Sequence, residues 1–223
     1  MLAANLDLVA RGLVRASFGN VSAADREAGV VAIKPSGVPY AQLGAEDVSL
    51  VRLDTGEHLD GLRPSSDTPT HLELYRAFAD VGGIAHTHST WATSWAQARR
   101  AIPCFGTTHA DHFRGPVPCT RPLADHECGD DYERLTGAVI VQTFAELDPL
   151  ETPAVLVASH GAFAWGASAA EAVEHAAALE EVAQLAFNTV VLDGSAEAVS
   201  GALLDRHFER KHGPEAYYGQ GVP

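Results

Sequence analysis

The sequence predicts a single α/β domain spanning residues 1–223. Three observations carry this. Short runs with strand character, such as residues 48–53 and 154–158, are interleaved with stretches whose apolar residues recur at helical spacing. Helix start signals precede two of those stretches, at Thr68-Pro69 and at Ser168-Ala169-Ala170-Glu171. The sequence has no internal repeats, linkers or low-complexity segments, and its length suffices to bury a full core.

Taken in order, residues 2–14 place Leu2, Leu6, Val9 and Leu13 at helical spacing. This helix starts with almost no lead-in, so the true start is expected upstream. Gly19-Asn20-Val21-Ser22 reads as a turn leading to a strand at residues 29–33. Lys34-Pro35-Ser36-Gly37 breaks that strand sharply and exposes backbone N–H groups beside a lysine, the chemistry of an anion cradle. Residues 48–53 alternate as a strand, and Asp54-Thr55-Gly56 turns the chain into His58-Leu59. Thr68 as cap with Pro69 in the first turn opens a helix to about Phe78, with Leu74, Phe78 and Val81 as its buried stripe. Ser65, Ser66 and the first N–H groups of that helix suit a phosphate. Ser89 or Thr90 caps a helix to about Arg99, whose N-terminus behind a strand offers a second place for an anion. Residues 106–113 are irregular. Residues 154–158 form a buried strand ending at Ser159-His160-Gly161, and Phe163-Ala164-Trp165 continues it after a tight turn. A capping box at Ser168 and Glu171 opens a helix to about Leu192, in which His175 is expected on a solvated face with Glu171, Glu174 and Glu180. A last helix is expected over about residues 196–211.

Charge and cysteine usage narrow the function. Fifteen basic against 29 acidic residues give a formal charge of −14, which argues against nucleic acid or an anionic membrane as partner. A small anionic substrate stays compatible, because surface charge is screened beyond roughly 8 Å. Cys104, Cys119 and Cys128 have no Cys-x-x-Cys spacing and read as free thiols in a reducing compartment. Residues 1–13 carry Asp7 and Arg11 within their apolar run, unlike a signal peptide, and no run approaches 18 apolar residues. A cytoplasmic enzyme is the expectation.

The chemistry centres on Gly83-Ile84-Ala85-His86-Thr87-His88-Ser89. In an extended chain alternate side chains share a face, so His86 and His88 point the same way and make half of a divalent-metal site. His160 also arrives at a strand end. Three neutral imidazoles with an open position form a catalytic metal arrangement, and Asp67 is the candidate to complete or flank it. Spacing alone does not bring His160 to the other two. His109, Asp111 and His112 could mimic a second site, but no matching ligands cluster near them.

The ordered set Gly19-Asn20-Val21-Ser22, Lys34-Pro35-Ser36-Gly37, Ser65-Ser66-Asp67-Thr68-Pro69-Thr70-His71, His86-Thr87-His88-Ser89, Gly106-Thr107-Thr108-His109-Ala110-Asp111, Ser159-His160-Gly161 and Lys211-His212-Gly213 with Ala216-Tyr217-Tyr218-Gly219-Gln220 resembles the class II aldolase and L-ribulose-5-phosphate 4-epimerase superfamily, and its epimerase branch closely. The resemblance implies a three-layer α/β/α fold with a central, mainly antiparallel sheet, assembled as a homotetramer with active sites at subunit interfaces. It implies that His86, His88 and His160 hold a metal with Asp67 beside or on it. Gly19, Asn20, Ser36, Gly37, Ser65 and Ser66 match substrate and phosphate contacts. Asp111 and Tyr218 match an acid/base pair drawn from different subunits, with Lys34, Thr107 and His207 in support. The implied reaction inverts C4 of a ketopentose phosphate by opening and re-forming the C3–C4 bond. Zinc and manganese both suit three histidines and a carboxylate. Relatives that are aldolases place a glutamate where this chain has Asp67, which favours the epimerase over aldol cleavage; an epimerase of the same fold acting on another pentulose phosphate is a further alternative. Retention of all three histidines with Asp111 and Tyr218 disfavours a non-catalytic, adducin-like interaction module.

Overall fold

The computed structural model describes residues 1–217, so Tyr218 and the Gly219-Gln220 tail lie outside the described residues. Seven strands form one sheet: β1 (Asn20–Asp25), β2 (Val30–Ile33), β3 (Ser49–Arg52), β4 (His58–Asp60), β5 (Gly83–Thr87), β6 (Ala154–Leu156) and β7 (Ala162–Gly166). Their order is β4-β3-β2-β1-β5-β7-β6, and every neighbouring pair is antiparallel. The helices are α1 (Leu2–Ala10), α2 (Thr68–Ala77), α3 (Thr90–Gln97), the single turn α4 (Thr107–Ala110), α5 (Tyr132–Thr143), α6 (Ala169–Leu192) and α7 (Gly201–His212).

Strand alternation sorts the sheet residues into two cores. On one face Val21, Ala85, Ala162 and Ala164 pack under α1, α3 and α6, through Leu8, Trp95, Val173 and Leu179. Small residues dominate this face because the 24-residue α6 lies directly across β5 and β7. On the other face Val31, Val51, Ile84, Val155, Phe163 and Trp165 pack against α2 and α5, through Leu74, Tyr75, Phe78, Ile140 and Phe144. Each such fully buried side chain contributes about 1.5–3 kcal/mol. The three-layer arrangement and the antiparallel sheet are those the resemblance implies.

Several local expectations are corrected. Helix α1 stops at Ala10, because Gly12 turns left-handed at φ 71° and only Leu13 beyond it stays buried. Asn20 to Ser22 belong to strand β1, whose rung opposite β5 supplies pairing that no turn signal announces. The first core strand was therefore hidden behind Gly19. Residues 107–110 form a helical turn, and α5 has no start signal at all. The last helix begins at Gly201, where the Ser200 hydroxyl accepts from the Leu203 N–H. Ser168 accepts from the Glu171 N–H as expected, but the Glu171 carboxylate accepts from the Ala167 N–H, one residue before the cap.

The face of α6 read as solvated is tied inward. His175 Nδ1 is 2.6 Å from the Trp165 carbonyl oxygen. Both carboxylate oxygens of Glu180 accept from α3, from the N–H groups of Trp91 (2.8 Å) and Ala92 (2.9 Å). The positive end of α3 is thus filled by the chain's own carboxylate, a favourable pairing at a helix N-terminus, and Ser89 makes no side-chain cap bond.

Burial of neutral imidazoles makes the fold acid-sensitive. Burial pushes His71 down to about 3, against the opposing charge of Asp67, and His109 down to about 4, against its bond to the Gly115 carbonyl. Above pH 6.5 both are neutral whether the chain is folded or not, so they impose no pH dependence. As the pH falls through 6.5 the unfolded chain binds protons that the folded chain refuses, and stability is lost down to about pH 4. Urea unfolding of chelator-treated protein is expected to give a lower stability at pH 5 than at pH 7, by about 2 kcal/mol for each of these histidines. Equal stabilities at the two pH values would contradict the buried neutral assignment.

Candidate metal centre and substrate cavity

The centre is built on adjacent rungs of the middle strands. Asn20 on β1 pairs with His86 on β5, and His86 pairs with Phe163 on β7, so the three side chains form a row on the α2/α5 face. His86 stacks on Phe163 with centroids 4.2 Å apart and planes at 17°. His88 follows one residue past the end of β5 and points the same way, as alternation requires. His160 enters from the turn between β6 and β7, where Ser159 adopts φ 65°. The next residue must be glycine, since a Cβ at Gly161 would stand 2.7 Å from the Thr87 oxygen and 3.4 Å from the rings of both His86 and His88. That close approach is what carries His160 to the other two.

The three imidazoles converge, each offering a ligand nitrogen within 4.8 Å of the others. Nε2 of His86 and Nε2 of His88 are 3.1 Å apart, close to the separation of about 3.3 Å that two nitrogens bound tetrahedrally to one divalent ion would have. His86 Nδ1 lies 2.9 Å from the Ala162 carbonyl oxygen, so it must donate there, and its Nε2 lone pair is left aimed at the shared point. Burial lowers His86 to about 4, with Asp67 opposing and His160 and His88 adding to the shift. Burial likewise lowers His88 and His160. All three are neutral near pH 7, the protonation state a metal ligand needs. Burial alone would raise the Asp67 carboxyl, but His86, His71 and the Asn20 amide offset it and hold it below the usual carboxylate range. The Asn20 Nδ2 group donates to Asp67 Oδ2 at 2.6 Å. Neutral nitrogen donors beside an ionised carboxylate fit a divalent cation.

The centre lies in a cavity of about 380 Å³ also lined by Phe18, Gly19, Lys34, Ser36, Gly37, Ser65 and Ser66. The expected substrate-contact residues of the first half of the chain are therefore gathered with the histidines and Asp67. Lys34 is 2% exposed, and its ammonium donates to the Val38 carbonyl at 2.8 Å. Burial lowers its pKa. Ser65 Oγ accepts from the Asp67 N–H, which fixes the start of α2.

Asp111, Thr107 and His207 are elsewhere. They meet where α4 packs on α7 and do not line the cavity. Arg210 Nη2 donates to Asp111 Oδ2 at 2.7 Å, and His207 Nδ1 is 3.0 Å from Oδ1. Burial pushes the Asp111 carboxyl up, yet the bonds from Arg210 and His207 and the charge of Lys211 outweigh it and hold it low. His109 turns its Nε2 to the Gly115 carbonyl, and His112 packs beside Phe113, so no second metal cluster forms here among the described residues.

Two neighbours of the centre were not legible. Tyr132, on the unannounced α5, places its hydroxyl 3.4 Å from His160 Nδ1. His71 is fully buried, Nδ1 bonded to Ser22 Oγ, and belongs to a motif that drew attention through its serines and Asp67. Helical spacing from Asp67 is the signal that could have found it.

Comparison with known proteins bears on the family and the fold. The family model for the class II aldolase and adducin N-terminal domain matches residues 1–187. The chain is 51% identical over 217 residues to a protein of Salmonella paratyphi C named L-ribulose-5-phosphate 4-epimerase UlaF, covering 97% of this chain and 95% of that one. The same identity and coverage hold for the UlaF of Salmonella choleraesuis. Among solved structures, an L-fuculose 1-phosphate aldolase superposes with a TM-score of 0.78 at 23% identity, covering 94% of this chain and 92% of that one. The L-fuculose-1-phosphate aldolase of Thermus thermophilus gives 0.68 at 26% identity, covering 87% and 95%. With a histidine centre, an antiparallel sheet and a family match over most of its length, this chain belongs to the class II aldolase and adducin family.

Proposed function

We propose that this protein is an L-ribulose-5-phosphate 4-epimerase, an isomerase interconverting L-ribulose 5-phosphate and D-xylulose 5-phosphate. The observation that carries the reading is the convergence of three neutral imidazoles and Asp67 in a cavity with two serine-bearing turns, in a chain 51% identical to named 4-epimerases. C4 of a 2-ketopentose is not adjacent to the carbonyl, so its proton cannot simply be removed. Opening the C3–C4 bond, turning the freed aldehyde and closing the bond on its other face inverts the centre.

His86, His88 and His160, with Asp67, would hold a divalent cation, which we infer to be zinc with manganese as the alternative. Bound there, the cation supplies Lewis-acid polarisation of the substrate oxygens near the bond that opens. Gly19, Asn20, Ser36, Gly37, Ser65 and Ser66 would bind the phosphate and hydroxyl groups, each charge-assisted bond to the phosphate contributing about 1.5–3 kcal/mol. Lys34, buried beside them, would add positive charge without needing a partner from outside the chain. Asp111 and Tyr218 would take and return the C4 hydroxyl proton from opposite sides, with Thr107 and His207 supporting Asp111. Asp111 does not line this chain's cavity, which favours a homotetramer whose sites are completed by a neighbouring subunit. No helix among the described residues is long and apolar enough to cross a membrane, and the three cysteines are free, which suits a reducing cytoplasm.

Incubation with D-xylulose 5-phosphate tests the reading. Formation of L-ribulose 5-phosphate with negligible free glycolaldehyde phosphate is expected, and it should stop when a chelator strips the protein and return on adding zinc or manganese. Accumulation of the two fragments would identify an aldolase instead. Full turnover after chelation would remove the metal from the mechanism.

A further inference from the structure

The donor count around His71 leaves one hydrogen without an acceptor. His71 is 0% exposed and sits on α2. Its Nδ1 lies 2.7 Å from Ser22 Oγ, and Ser22 Oγ lies 2.8 Å from the Tyr75 hydroxyl. Only one direction gives both hydroxyl hydrogens of this row an acceptor within it: Tyr75 donates to Ser22, and Ser22 donates to His71 Nδ1. An imidazole that accepts at Nδ1 carries its hydrogen on Nε2. His71 Nε2 is buried and has no partner among the described residues. Buried polar groups in native proteins are nearly always satisfied, so an orphan of this kind asks for its acceptor.

A charged candidate is one turn back. Asp67 precedes His71 by four residues, so the two side chains occupy one face of the helix start, and the carboxylate and the ring act electrostatically on each other. Asp67 Oδ2 is already engaged by the Asn20 amide at 2.6 Å and by Ser65. Among the described residues, none bonds to the other oxygen. His71 also meets Phe163 edge-on at 5.8 Å, the same ring on which His86 stacks.

We propose that His71 is a positioning residue of the metal centre: its Nε2–H is accepted by the Asp67 carboxylate when the centre is loaded, and so sets the orientation in which Asp67 meets the cation. The inference rests on the metal-centre reading given above. It assigns Ser22 and Tyr75 a part as well, because they fix the tautomer that makes Nε2 a donor.

Zinc affinity of the chelator-stripped, full-length protein, measured by competition with a chromophoric chelator, tests this without reference to turnover. An asparagine at position 71 keeps a polar atom near Nδ1 and lacks the one at Nε2; a glutamine reaches the Nε2 position instead. His71→Asn is expected to weaken zinc binding about 10–100-fold, and His71→Gln to stay within about threefold of the wild type. In an Asp67→Asn background, His71→Asn should add nothing further, because the two residues act as one unit. Ser22→Ala, which releases the tautomer, should weaken binding severalfold and provides a second route if the asparagine variant does not fold. Wild-type affinity in His71→Asn or in Ser22→Ala, or losses that simply add to that of Asp67→Asn, would overturn the assignment while leaving the metal centre intact. A wild-type protein that binds no zinc would instead remove the centre on which the assignment rests.

Discussion

His86→Ala is expected to reduce epimerase turnover at least about 10³-fold, since a Lewis-acid contribution of about 4 kcal/mol to the barrier corresponds to that factor. His86 is the innermost ligand candidate, 1% exposed, oriented by the Ala162 carbonyl and stacked on Phe163. Its removal takes away one metal contact and leaves the Ala162 oxygen without its side-chain donor. The substitution should therefore cost stability as well as metal, by about 2 kcal/mol or more from the lost packing and the lost hydrogen bond. His88, by contrast, is the exposed member of the cluster, so His88→Ala is expected to lose metal affinity while unfolding near the wild-type midpoint. Metal content by elemental analysis, read beside thermal unfolding of both variants, separates these contributions. Turnover within tenfold of the wild type in metal-depleted His86→Ala would exclude the centre from catalysis.

Asp111→Asn should lower kcat by about 10²–10⁴, the range of a lost general acid or base, without changing zinc affinity. The two readouts diverge because Asp111 is held at the α4–α7 junction by Arg210 and His207 and stands apart from the histidine cluster. Its low pKa has a consequence for pH profiles. The carboxylate form is the one that removes a proton, and it is present above the folded-state pKa, so activity is lost as the pH falls through that value. Arg210→Met withdraws the strongest bond to the ionised form and raises the carboxyl's pKa. The acid limb of the kcat profile should then move to higher pH, and kcat on the plateau should change less than in Asp111→Asn. An unchanged acid limb would show that Asp111 is not the group titrating there.

How much of this was legible before the fold was known depended on the range of the interaction. The pair His86 and His88 followed from two-residue alternation alone, and the turn at Lys34 to Gly37 followed from proline and glycine. His160 could be placed at a strand end but not beside the pair, because its approach depends on Gly161 passing within contact distance of Thr87. The three-layer fold was legible only through family resemblance; periodicity alone missed both β1 and α5. Strand β1 owes its state to pairing on both sides, with β2 and β5, and α5 owes its own to packing on α2 through Ile140 and Phe144. Neither cause is local. The same holds for His71 and Tyr132, whose partners Ser22 and His160 lie 49 and 28 residues away.

Glu180 shows how far such distant pairing reaches. The helix that leaves the histidine strand would ordinarily invite a negatively charged visitor to its leading end, and here α6 has plugged that socket from within. That end of α3 is thereby closed to an outside anion by a bond made within the chain itself, from a residue some ninety positions further on.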